Sequence, residues 1–586
     1  MSIVSKFQSI LEKGVEAVLP DRLIRQSISL IPDGIQVNGV AYPVTGQLNI
    51  FGFGKAALGL VKKASKILGS RVDNIVCCIS EPTEREIKEY PDLLDANDIL
   101  TSDNSKPNVF VFNGPRTNEP NEGVVLTSLK MAKIASYMKA GDLLLVCITG
   151  GGSALLTLPE PLEKGKSPVD ESTKRLSLEA IIKTTKVLSL DGASIQEINI
   201  VRSCLDCMKA GGLANFAAPA KVVSLILSDV IGDPIQFIAS GPTYIENRSD
   251  SEVSPYDKAL AILNKRGLID KIPGEVRNFL EARKDTSMKL VGVDPAPTNC
   301  LIGSLSIALE AAADEAAGLN PCCLMTNRIV LPREIFRRTP PESFECILPI
   351  ILTDKLDGDM TQRAEAIADL SWEIRCLTQV FLAKPEKTSR HVTDAMRERL
   401  MNAQTRLVGK KTYYHDLVHA CYQVSKAAYE QISAGGTCPG QFLSGICLLF
   451  GGEATVKVNA KSFTSNGGRC SHAALATALR FYEIQSISNP NSSPLSPTSI
   501  HISFYARASD GLDGPTAFGA GAWSTDRMIE DSAEAGRAKQ SLMIGDSYGY
   551  FSNGGRTDAD KGHYLPARLT GTNVMDLFMC LIGIYA

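Results

Sequence analysis

The sequence predicts an α/β protein with a mainly parallel sheet in its N-terminal half and a second α/β domain in its C-terminal half. Short apolar runs alternate with helical segments over the first part of the chain, a pattern typical of parallel strands joined by helices. Glycine-rich polar loops follow several of these runs, at the strand ends where such sheets bind ligands. At 586 residues the chain is too long for one hydrophobic core, so at least two domains are expected.

The central element is the stretch LLLVCITGGGSALL, residues 143–156. Its apolar part, Leu143–Ile148, predicts a strand buried on both faces of a parallel sheet. The loop after this strand consists of Gly150, Gly151, Gly152 and Ser153. We expect Ser153 to cap a helix, so that backbone N–H groups and the helix dipole favour an anion, most often a phosphate. A tight turn that only needs positive φ is the alternative.

The first strand of this sheet is predicted at Leu48–Phe51, followed by Gly52, Gly54 and Lys55 and by a helix to about Leu68. The glycine spacing is neither the GxGxxG of dinucleotide-binding folds nor a Walker A motif. Lys55 is expected on the first turn of the helix, where its ammonium would lie near any anion held by the glycine loop. An ordinary solvated lysine is the alternative.

A further strand is predicted at Val222–Leu227, and Asp229 and Asp233 follow it. Two carboxylates at the C-terminal end of a strand suit Mg²⁺ coordination or general-base chemistry. Turn formation is the alternative, because Asp229 could cap the next turn and Asp233 precedes a proline.

Upstream of this strand, a helix is predicted over about 195–217. It would carry Asn199, Arg202 and Lys209, and the two cations, seven residues apart, would share one face. Cys204 and Cys207 form a CxxC in the same segment, which is not taken as a redox motif because a helix interior gives it no support.

Around residues 245–295 the sequence becomes polar and loses its periodicity, and we expect a domain boundary there. In the second half, two double glycines precede charged residues, Gly451-Gly452-Glu453 and Gly467-Gly468-Arg469. A guanidinium after two glycines can approach an anion closely and grip a carboxylate or phosphate with two hydrogen bonds. Other predicted elements are helices near 359–383 and 413–433, strands at 446–450, 455–458 and 502–505, and a turn or calcium-like loop from Ser509.

Composition excludes several classes of function. The net charge is −3 and no block of basic residues occurs, so neither a nucleic-acid nor an anionic-membrane partner is expected. No run of eighteen apolar residues predicts a membrane span. The N-terminus lacks an apolar signal region, and the fifteen cysteines are scattered rather than set in a framework. We therefore expect a cytoplasmic protein with reduced thiols.

Several longer stretches, in their order along the chain, resemble the class II glycerate kinases of the MOFRL family. They are GFGKAA, LLLVCITGGGSALL, NIVRSCLDCMKAGGLA, SLILSDVIGDPIQFIASGPT, LLFGGEATVKV, SDGLDGPTAFGAGA, DSYGYF and TGTNVMDL. The resemblance implies ATP-dependent phosphorylation of D-glycerate, mostly at the 2-hydroxyl, in a cleft between two α/β domains. By motif position, the family's functional lysine, aspartate and arginine fall on Lys55, Asp229 and Arg469.

The resemblance also implies a domain plan. Residues 1–250 would form a Rossmann-like glycerate kinase domain and residues 290–586 a C-terminal domain, with the MOFRL region at about 440–586. Segments near 327–440 and 488–499 look like insertions relative to compact members of the family.

The chain departs from the family pattern at four places. Cys470-Ser471-His472 replaces the polar residues that follow the family's arginine, and Arg202-Ser203-Cys204 replaces a segment with a lysine and a histidine. Ala567-Arg568-Leu569 removes half of a glycine loop, and Ala517 stands in place of an aspartate. These departures bear on the acceptor substrate and the rate more than on the fold.

The resulting hypothesis is a phosphotransferase that uses ATP and Mg²⁺. The amides of Gly150–Ser153 would hold the ATP phosphates, with further cofactor contacts from Asn199, Arg202 and Lys209. Lys55 would neutralise the transferring charge, Asp229 with Asp233 would hold Mg²⁺ or accept the proton of the hydroxyl, and Arg469 would clamp a carboxylate or the phosphoryl group.

Two alternatives remain open. One is a non-catalytic or altered-specificity relative that binds a metabolite or nucleotide, and the other is an NAD(P)H-dependent hydroxypyruvate reductase. The glycine spacing at residues 52–59 disfavours the reductase. A homodimer is compatible with the sequence.

Overall fold

The computed structural model describes residues 3–82, 107–117, 119–246, 253–284, 293–318, 346–383, 392–409, 414–435, 437–457, 466–487, 499–514, 519–553 and 563–586. Ala517 and residues 488–498 lie outside these ranges, as do parts of the stretches expected at 245–295, 327–440 and 455–458. The chain forms two compact units. The N-terminal unit comprises Leu19–Ser304 and Gly571–Asn573, and the C-terminal unit comprises Met1–Val18, Leu305–Thr570 and Val574–Ala586.

The secondary structure alternates strands and helices, as predicted. The strands are β1 (Ile28–Ile31), β2 (Gly34–Val37), β3 (Val40–Pro43), β4 (Leu48–Phe53), β5 (Asn74–Ser80), β6 (Asn108–Gly114), β7 (Leu143–Ile148), β8 (Lys221–Leu227), β9 (Thr298–Gly303), β10 (Cys346–Leu356), β11 (Phe442–Gly452), β12 (Ser499–Ala508), β13 (Gly519–Thr525), β14 (Tyr564–Pro566) and β15 (Asp576–Tyr585). The helices are α1 (Ile3–Ala17), α2 (Pro20–Ser27), α3 (Ala57–Leu68), α4 (Glu122–Ser136), α5 (Gly152–Leu155), α6 (Leu178–Leu190), α7 (Ile195–Ser203), α8 (Gly212–Ala217), α9 (Pro255–Lys265), α10 (Gly274–Ala282), α11 (Leu305–Gly318), α12 (Met360–Ala383), α13 (Asp394–Val408), α14 (Tyr414–Ala434), α15 (Arg469–Ile487), α16 (Ser532–Ile544) and α17 (Ser547–Asn553).

The N-terminal unit is built on a parallel six-stranded sheet, which confirms the predicted fold class. Its strand order is β6-β5-β4-β7-β8-β9, and every neighbouring pair runs parallel. Strands β4 and β7 are buried along their whole length, because helices cover both faces of such a sheet. Chain order reverses between β4 and β7, and doubly wound sheets bind their ligands beyond the carboxyl ends of the strands at such a reversal.

The C-terminal unit contains a mixed six-stranded sheet with the order β10-β11-β15-β12-β13-β14. Strands β10 and β11 are parallel, and the last strand of the chain, β15, lies antiparallel between β11 and β12. The first residue of β15, Asp576, is therefore opposite Gly452 at the end of β11 and Ala508 at the end of β12. This register brings the polar ends of three strands together.

Three local expectations were wrong. The helix expected over 195–217 ends at Ser203 and restarts at Gly212, so Arg202 and Lys209 do not share a helix face. The strand expected at 455–458 is not formed over its described part, where Thr455 makes only an isolated bridge with Asp359. Helix α5 is a single turn whose N-cap is Gly151 with φ of 77°, so Ser153 is not its cap.

The two compact units divide the chain between Ser304 and Leu305, and α1 packs in the C-terminal unit against α11. The expected domain plan of residues 1–250 and 290–586 stays a prediction. Among the described residues, no helix combines the length and the apolar character that a bilayer crossing requires. The described cysteines are free thiols.

Candidate functional site

Three loops meet at the edge of the parallel sheet where its strand order reverses. They follow β4, β7 and β8, which are neighbours in the sheet and point the same way. Carboxyl ends of adjacent parallel strands lie at one edge, so the loops with Lys55, Gly150–Ser153 and Asp229 are brought together. The structure thus assembles three of the predicted site elements in the N-terminal unit.

Lys55 and Asp229 lie against consecutive glycines of the loop. A Cβ atom built on Gly150 would be 1.7 Å from Asp229 Oδ2, and one built on Gly151 would be 3.1 Å from Lys55 Cγ. A side chain on Gly150 would clash with the Asp229 carboxylate, and Gly151 has a φ of 77°, which side chains rarely permit. Lys55 is exposed and lies just before α3 rather than on its first turn, with its backbone N–H donating to the carbonyl of Gly150.

The glycine loop keeps backbone donors available. The N–H of Gly152 donates to the carbonyl of Thr149. Across the described parts of the chain, the N–H groups of Gly150, Gly151 and Ser153 have no protein acceptor. Unpaired N–H groups next to a lysine suit an anion, because each can donate to an anionic oxygen.

A chain of hydroxyl groups leads from this loop into the unit. Ser153 Oγ lies 2.9 Å from Ser240 Oγ, and Ser240 Oγ donates to Asn199 Oδ1 over 3.2 Å. Ser240 has φ of 63° and is buried, as is Asn199. Asn199 therefore reaches the loop through Ser240.

Lys209 and Arg202 converge on the carbonyl groups at the end of the loop. Lys209 Nζ donates to the carbonyl oxygens of Ser153 (2.9 Å) and Leu156 (2.8 Å) and lies 3.1 Å from Asp206 Oδ2. Arg202 Nη2 donates to the same Ser153 oxygen over 3.1 Å. Two of the three N–H donors of the Lys209 ammonium thus bond to backbone carbonyl oxygens, and the ammonium also pairs with the Asp206 carboxylate. The predicted contact of Lys209 with a cofactor stays a prediction.

Burial lowers the pKa of both cations. It lowers the pKa of Lys209 to about 8, with the negative charge of Asp206 opposing the shift. Burial also lowers the pKa of Arg202. A buried ammonium is retained only with such partners, because an unpaired buried charge is strongly unfavourable.

Asp206 is a residue of this network that the sequence did not reveal. One of its oxygens accepts from the N–H groups of Leu158 and Met208, and the other lies beside Lys209. It thereby fixes the segment that follows the glycine loop. An acidic residue inside the apolar stretch CLDCM was the available signal, since buried carboxylates need a partner.

The residues predicted to bind metal are Asp229 and Asp233. Asp233 has φ of 53°, and its N–H donates to the carbonyl of Val230 in the turn after β8. Among the described residues, no three His, Cys, Asp or Glu side chains form a metal-binding group. Two carboxylates after one strand are oxygen donors of the kind that Mg²⁺ accepts, and this ion commonly keeps water and substrate oxygens as its other ligands.

In the C-terminal unit, Arg469 is the first residue of α15 and is paired with two carboxylates. Its Nε donates to Asp576 Oδ2 over 2.6 Å, and its Nη1 lies 2.9 Å from Glu453 Oε1. These partners raise the pKa of the guanidinium even though burial lowers it. Burial raises the pKa of Asp576 to about 7, while the charge of Arg469 opposes that shift.

Residues that depart from the family pattern take part in the packing beside Arg469. The N–H groups of Cys470 and Ser471 donate to the two oxygens of Asp513, each over 2.8 Å, which satisfies the first turn of α15. His472 is buried, and its Nε2 lies 2.8 Å from Thr361 Oγ1. Burial lowers the pKa of His472 to about 4.

The chain matches known families in two regions. Residues 6–281 match the model of a domain of unknown function (DUF4147), and residues 446–576 match the MOFRL family. It is 31% identical to glycerate kinase of Mus musculus over 99% of this chain and 94% of the relative. It is also 31% identical to glycerate kinase of Danio rerio, over 99% of this chain and 98% of the relative. Glycerate 2-kinase of Pyrococcus horikoshii is 29% identical over 52% of this chain and 61% of its own length.

Solved structures share the fold. A protein of Pyrococcus horikoshii OT3 superposes with a TM-score of 0.61 and covers 99% of both chains, at 22% identity. Glycerate kinase of Thermotoga maritima superposes with a TM-score of 0.60, covering 99% of this chain and all of that one, also at 22% identity. The α/β architecture with two units therefore recurs in proteins of distant sequence.

Proposed function

The chain belongs to the glycerate kinase family and is a kinase, and from this premise we propose that it transfers the γ-phosphoryl group of ATP to D-glycerate. The proposed acceptor is the 2-hydroxyl, which gives 2-phosphoglycerate. The relative named glycerate 2-kinase supports this choice of hydroxyl. The family and the enzyme class are the established part, and the nucleotide, the acceptor and its position are the proposal.

One observation carries the proposal: Lys55 and Asp229 lie on two consecutive glycines of a loop whose N–H groups are available. Phosphoryl transfer needs positioned donors and charge neutralisation more than covalent chemistry. The amides of Gly150, Gly151 and Ser153 would bind phosphate oxygens, and the Lys55 ammonium would neutralise charge on the transferring group. The reversal of strand order supports a ligand at this edge of the sheet.

Asp229 would act on the acceptor. Its carboxylate would accept the proton of the glycerate hydroxyl as the oxygen attacks the γ-phosphorus atom, while the bond from that phosphorus to the bridging oxygen breaks and ADP leaves. Arg469 would bind the carboxylate of glycerate through its remaining N–H groups, since Nη2 has no partner among the described residues.

Mg²⁺ fits this set of donors. In the alternative role of Asp229, its carboxylate and that of Asp233 after the same strand would hold the ion together with phosphate oxygens and water, and the ion would neutralise phosphate charge. Lys209 and Arg202 would support the loop from within rather than bind the nucleotide.

The proposal is tested by incubating the purified chain with D-glycerate and MgATP and following ADP release. We expect turnover that needs both substrates, and ³¹P NMR of the product should show 2-phosphoglycerate. Parallel reactions with hydroxypyruvate and NADPH or NADH test the reductase alternative. Absence of ADP release with any acceptor, in a protein that binds ATP, would instead support the non-catalytic binding relative.

A further inference from the structure

The two carboxylates that hold Arg469 differ in burial. The Asp576 side chain is 4% exposed and accepts the Nε–H of Arg469, while the Glu453 side chain is 49% exposed and lies against Nη1. A buried partner is shielded from water and holds its geometry, whereas a half-exposed one competes with water for the same contact. The two carboxylates are therefore suited to different tasks.

Strand pairing fixes Asp576. It is the first residue of β15, and it is opposite Gly452 of β11 on one side and Ala508 of β12 on the other. A residue paired on both sides in the middle of a sheet has little freedom, so the position of its carboxylate is set by the backbone. Glu453 follows the end of β11, and its backbone N–H donates to the carbonyl of Leu356 at the end of β10, which holds it from one side.

We propose that Asp576 is the positioning residue of Arg469, and this inference rests on the proposed function. The guanidinium is planar and turns as a unit, so a bond from Nε to a fixed carboxylate sets the direction of Nη1 and Nη2. An anionic substrate then meets nitrogen donors that are already oriented, which removes part of the ordering cost of binding. Glu453 is the partner that such a substrate displaces.

The charge of Asp576 depends on its neighbours. Burial raises its pKa to about 7, Arg469 on α15 opposes this shift, and Asp513 and Asp510, in the segment after β12, add to it. Glu453 faces the same guanidinium from the segment after β11. Because an ionised Asp576 holds Arg469 more firmly, the KM for D-glycerate should rise as the pH falls through about 7.

A double-mutant cycle tests whether Asp576 acts through Arg469. We expect Asp576→Ala to raise the KM for D-glycerate about tenfold or more and to change the KM for ATP less than about twofold, which corresponds to losing one charged hydrogen bond. In the Arg469→Ala background, Asp576→Ala should cause no further loss. Losses that multiply in the double variant would overturn the inference.

Asp369 offers a matched control. Its carboxylate is 14% exposed and pairs with Arg480, which lies on the same helix α15 as Arg469, and also with Arg406 of α13. Asp369→Ala therefore removes a largely buried carboxylate partner from an arginine of the same helix, and it should lower stability without changing the KM for D-glycerate. An equal rise in KM for both variants would assign Asp576 a merely structural role and overturn the inference.

Two readouts keep the test decisive. Asp576→Asn retains the side-chain volume if the alanine variant fails to fold, and it should remove the pH dependence of the KM near pH 7. An unchanged pH dependence overturns the inference.

Turnover by the unmodified chain separates the proposed function from the proposed role of Asp576. If it binds D-glycerate but does not phosphorylate it, the proposed function alone fails, and the cycle is measured by calorimetric binding. If it does not bind D-glycerate, both fail.

Discussion

Lys55 and Asp229 approach the glycine loop at two neighbouring residues, and the missing side chains there let them come so close. The ammonium of Lys55 and the carboxylate of Asp229 lie against adjacent glycines. They create a site where phosphate charge can be neutralised while a proton acceptor stays nearby. Neither residue is buried, so neither is needed for the core. Their substitution should therefore affect turnover more than folding.

Lys55→Ala should lower kcat about 100- to 1000-fold, the range found when one charge-stabilising donor is removed from an active site. The melting temperature should change little, because Lys55 is exposed. Lys66→Ala is a control, since it removes an exposed lysine from α3. Steady-state kinetics of both variants decide the matter, and near-normal kcat in Lys55→Ala would exclude its role in transfer.

Gly150→Ala tests the position of Asp229 without changing a charge. The added methyl group would lie 1.7 Å from Asp229 Oδ2, so the carboxylate must move. The carboxylate would have to move by roughly 1 Å or more to reach an ordinary contact distance, which should lower kcat about tenfold or more. Gly274→Ala is the control, because it lies in the same unit with no atom within 4 Å of its added Cβ. Equal activity of the two variants would show that Asp229 need not lie over the loop.

At the scale of elements, the short helix α5 depends on cations that lie outside it. Its single turn cannot satisfy its own last carbonyl groups, and Lys209 and Arg202 supply the donors. Asp206 in turn compensates the charge of Lys209. The loop geometry is thus maintained by a network from α7 and the segment that follows it.

Lys209→Met separates this structural role from cofactor binding. It leaves Asp206 buried without its cation, and removing one partner of a buried pair typically costs about 3–5 kcal/mol. We expect a large drop in the urea midpoint of the N-terminal unit. Hydrogen exchange of the backbone amides of β7 and β8 monitors the unfolding of this unit. A stable variant with only a raised KM for ATP would instead confirm the predicted cofactor contact.

His472 gives helix α15 a defined response to acid. Its pKa is lowered to about 4 in the folded state from a usual 6.5, so between these values the unfolded chain binds more protons. Stability from a neutral His472 is full above pH 6.5 and is lost as the pH falls toward 4, by on the order of 3 kcal/mol.

His472→Gln should remove this part of the pH dependence. Trp372 and Trp523 both lie in the C-terminal unit, so tryptophan fluorescence during urea unfolding reports on that unit. The difference in unfolding free energy between the two proteins should change between pH 6.5 and 4 and stay constant above. A constant difference throughout would mean that His472 titrates normally.

For the whole molecule, sequence patterns predicted the structural features that depend on residues close together in the chain. The buried runs predicted β4, β7 and β8, and parallel strands bring their following loops together, which is why Lys55, Gly150–Ser153 and Asp229 could be expected near one another. The family resemblance supplied Arg469. Lys55, Gly150–Ser153 and Asp229 share one local signal, which is a strand followed directly by polar and glycine residues.

Features set by distant pairing could not be predicted. Asp576 meets Arg469 only because β15 inserts antiparallel between β11 and β12, and no local pattern contains that choice. In the break between α7 and α8, one oxygen of Asp206 accepts from the backbone N–H groups of Leu158 and Met208, which lie outside a helix. Likewise, α1 lies in the C-terminal unit although the chain continues directly into the N-terminal one.

The placement of α1 leads to a prediction about the C-terminal unit. A Cβ on Gly14 of α1 would lie 2.8 Å from the carbonyl oxygen of Ala308 in α11 and 3.0 Å from Leu577 Cδ2 in β15. A backbone atom cannot move away from such a contact without straining the helix, and overpacking lowers the free energy of unfolding by about 1–3 kcal/mol. This loss outweighs the gain of up to about 1 kcal/mol from replacing a helical glycine by alanine. Gly14→Ala should therefore destabilise the unit.

Gly536→Ala is the matched control for this change. Gly536 is exposed in helix α16 of the same unit, and its added Cβ would meet no atom within 4 Å. Only the helix-propensity gain remains there, so Gly536→Ala should raise stability by up to about 1 kcal/mol. Urea unfolding monitored by Trp372 and Trp523 should give opposite signs for the two variants. An equal gain in both would mean that α1 does not pack closely on α11 and β15, because a helix detached from them would respond to alanine as α16 does.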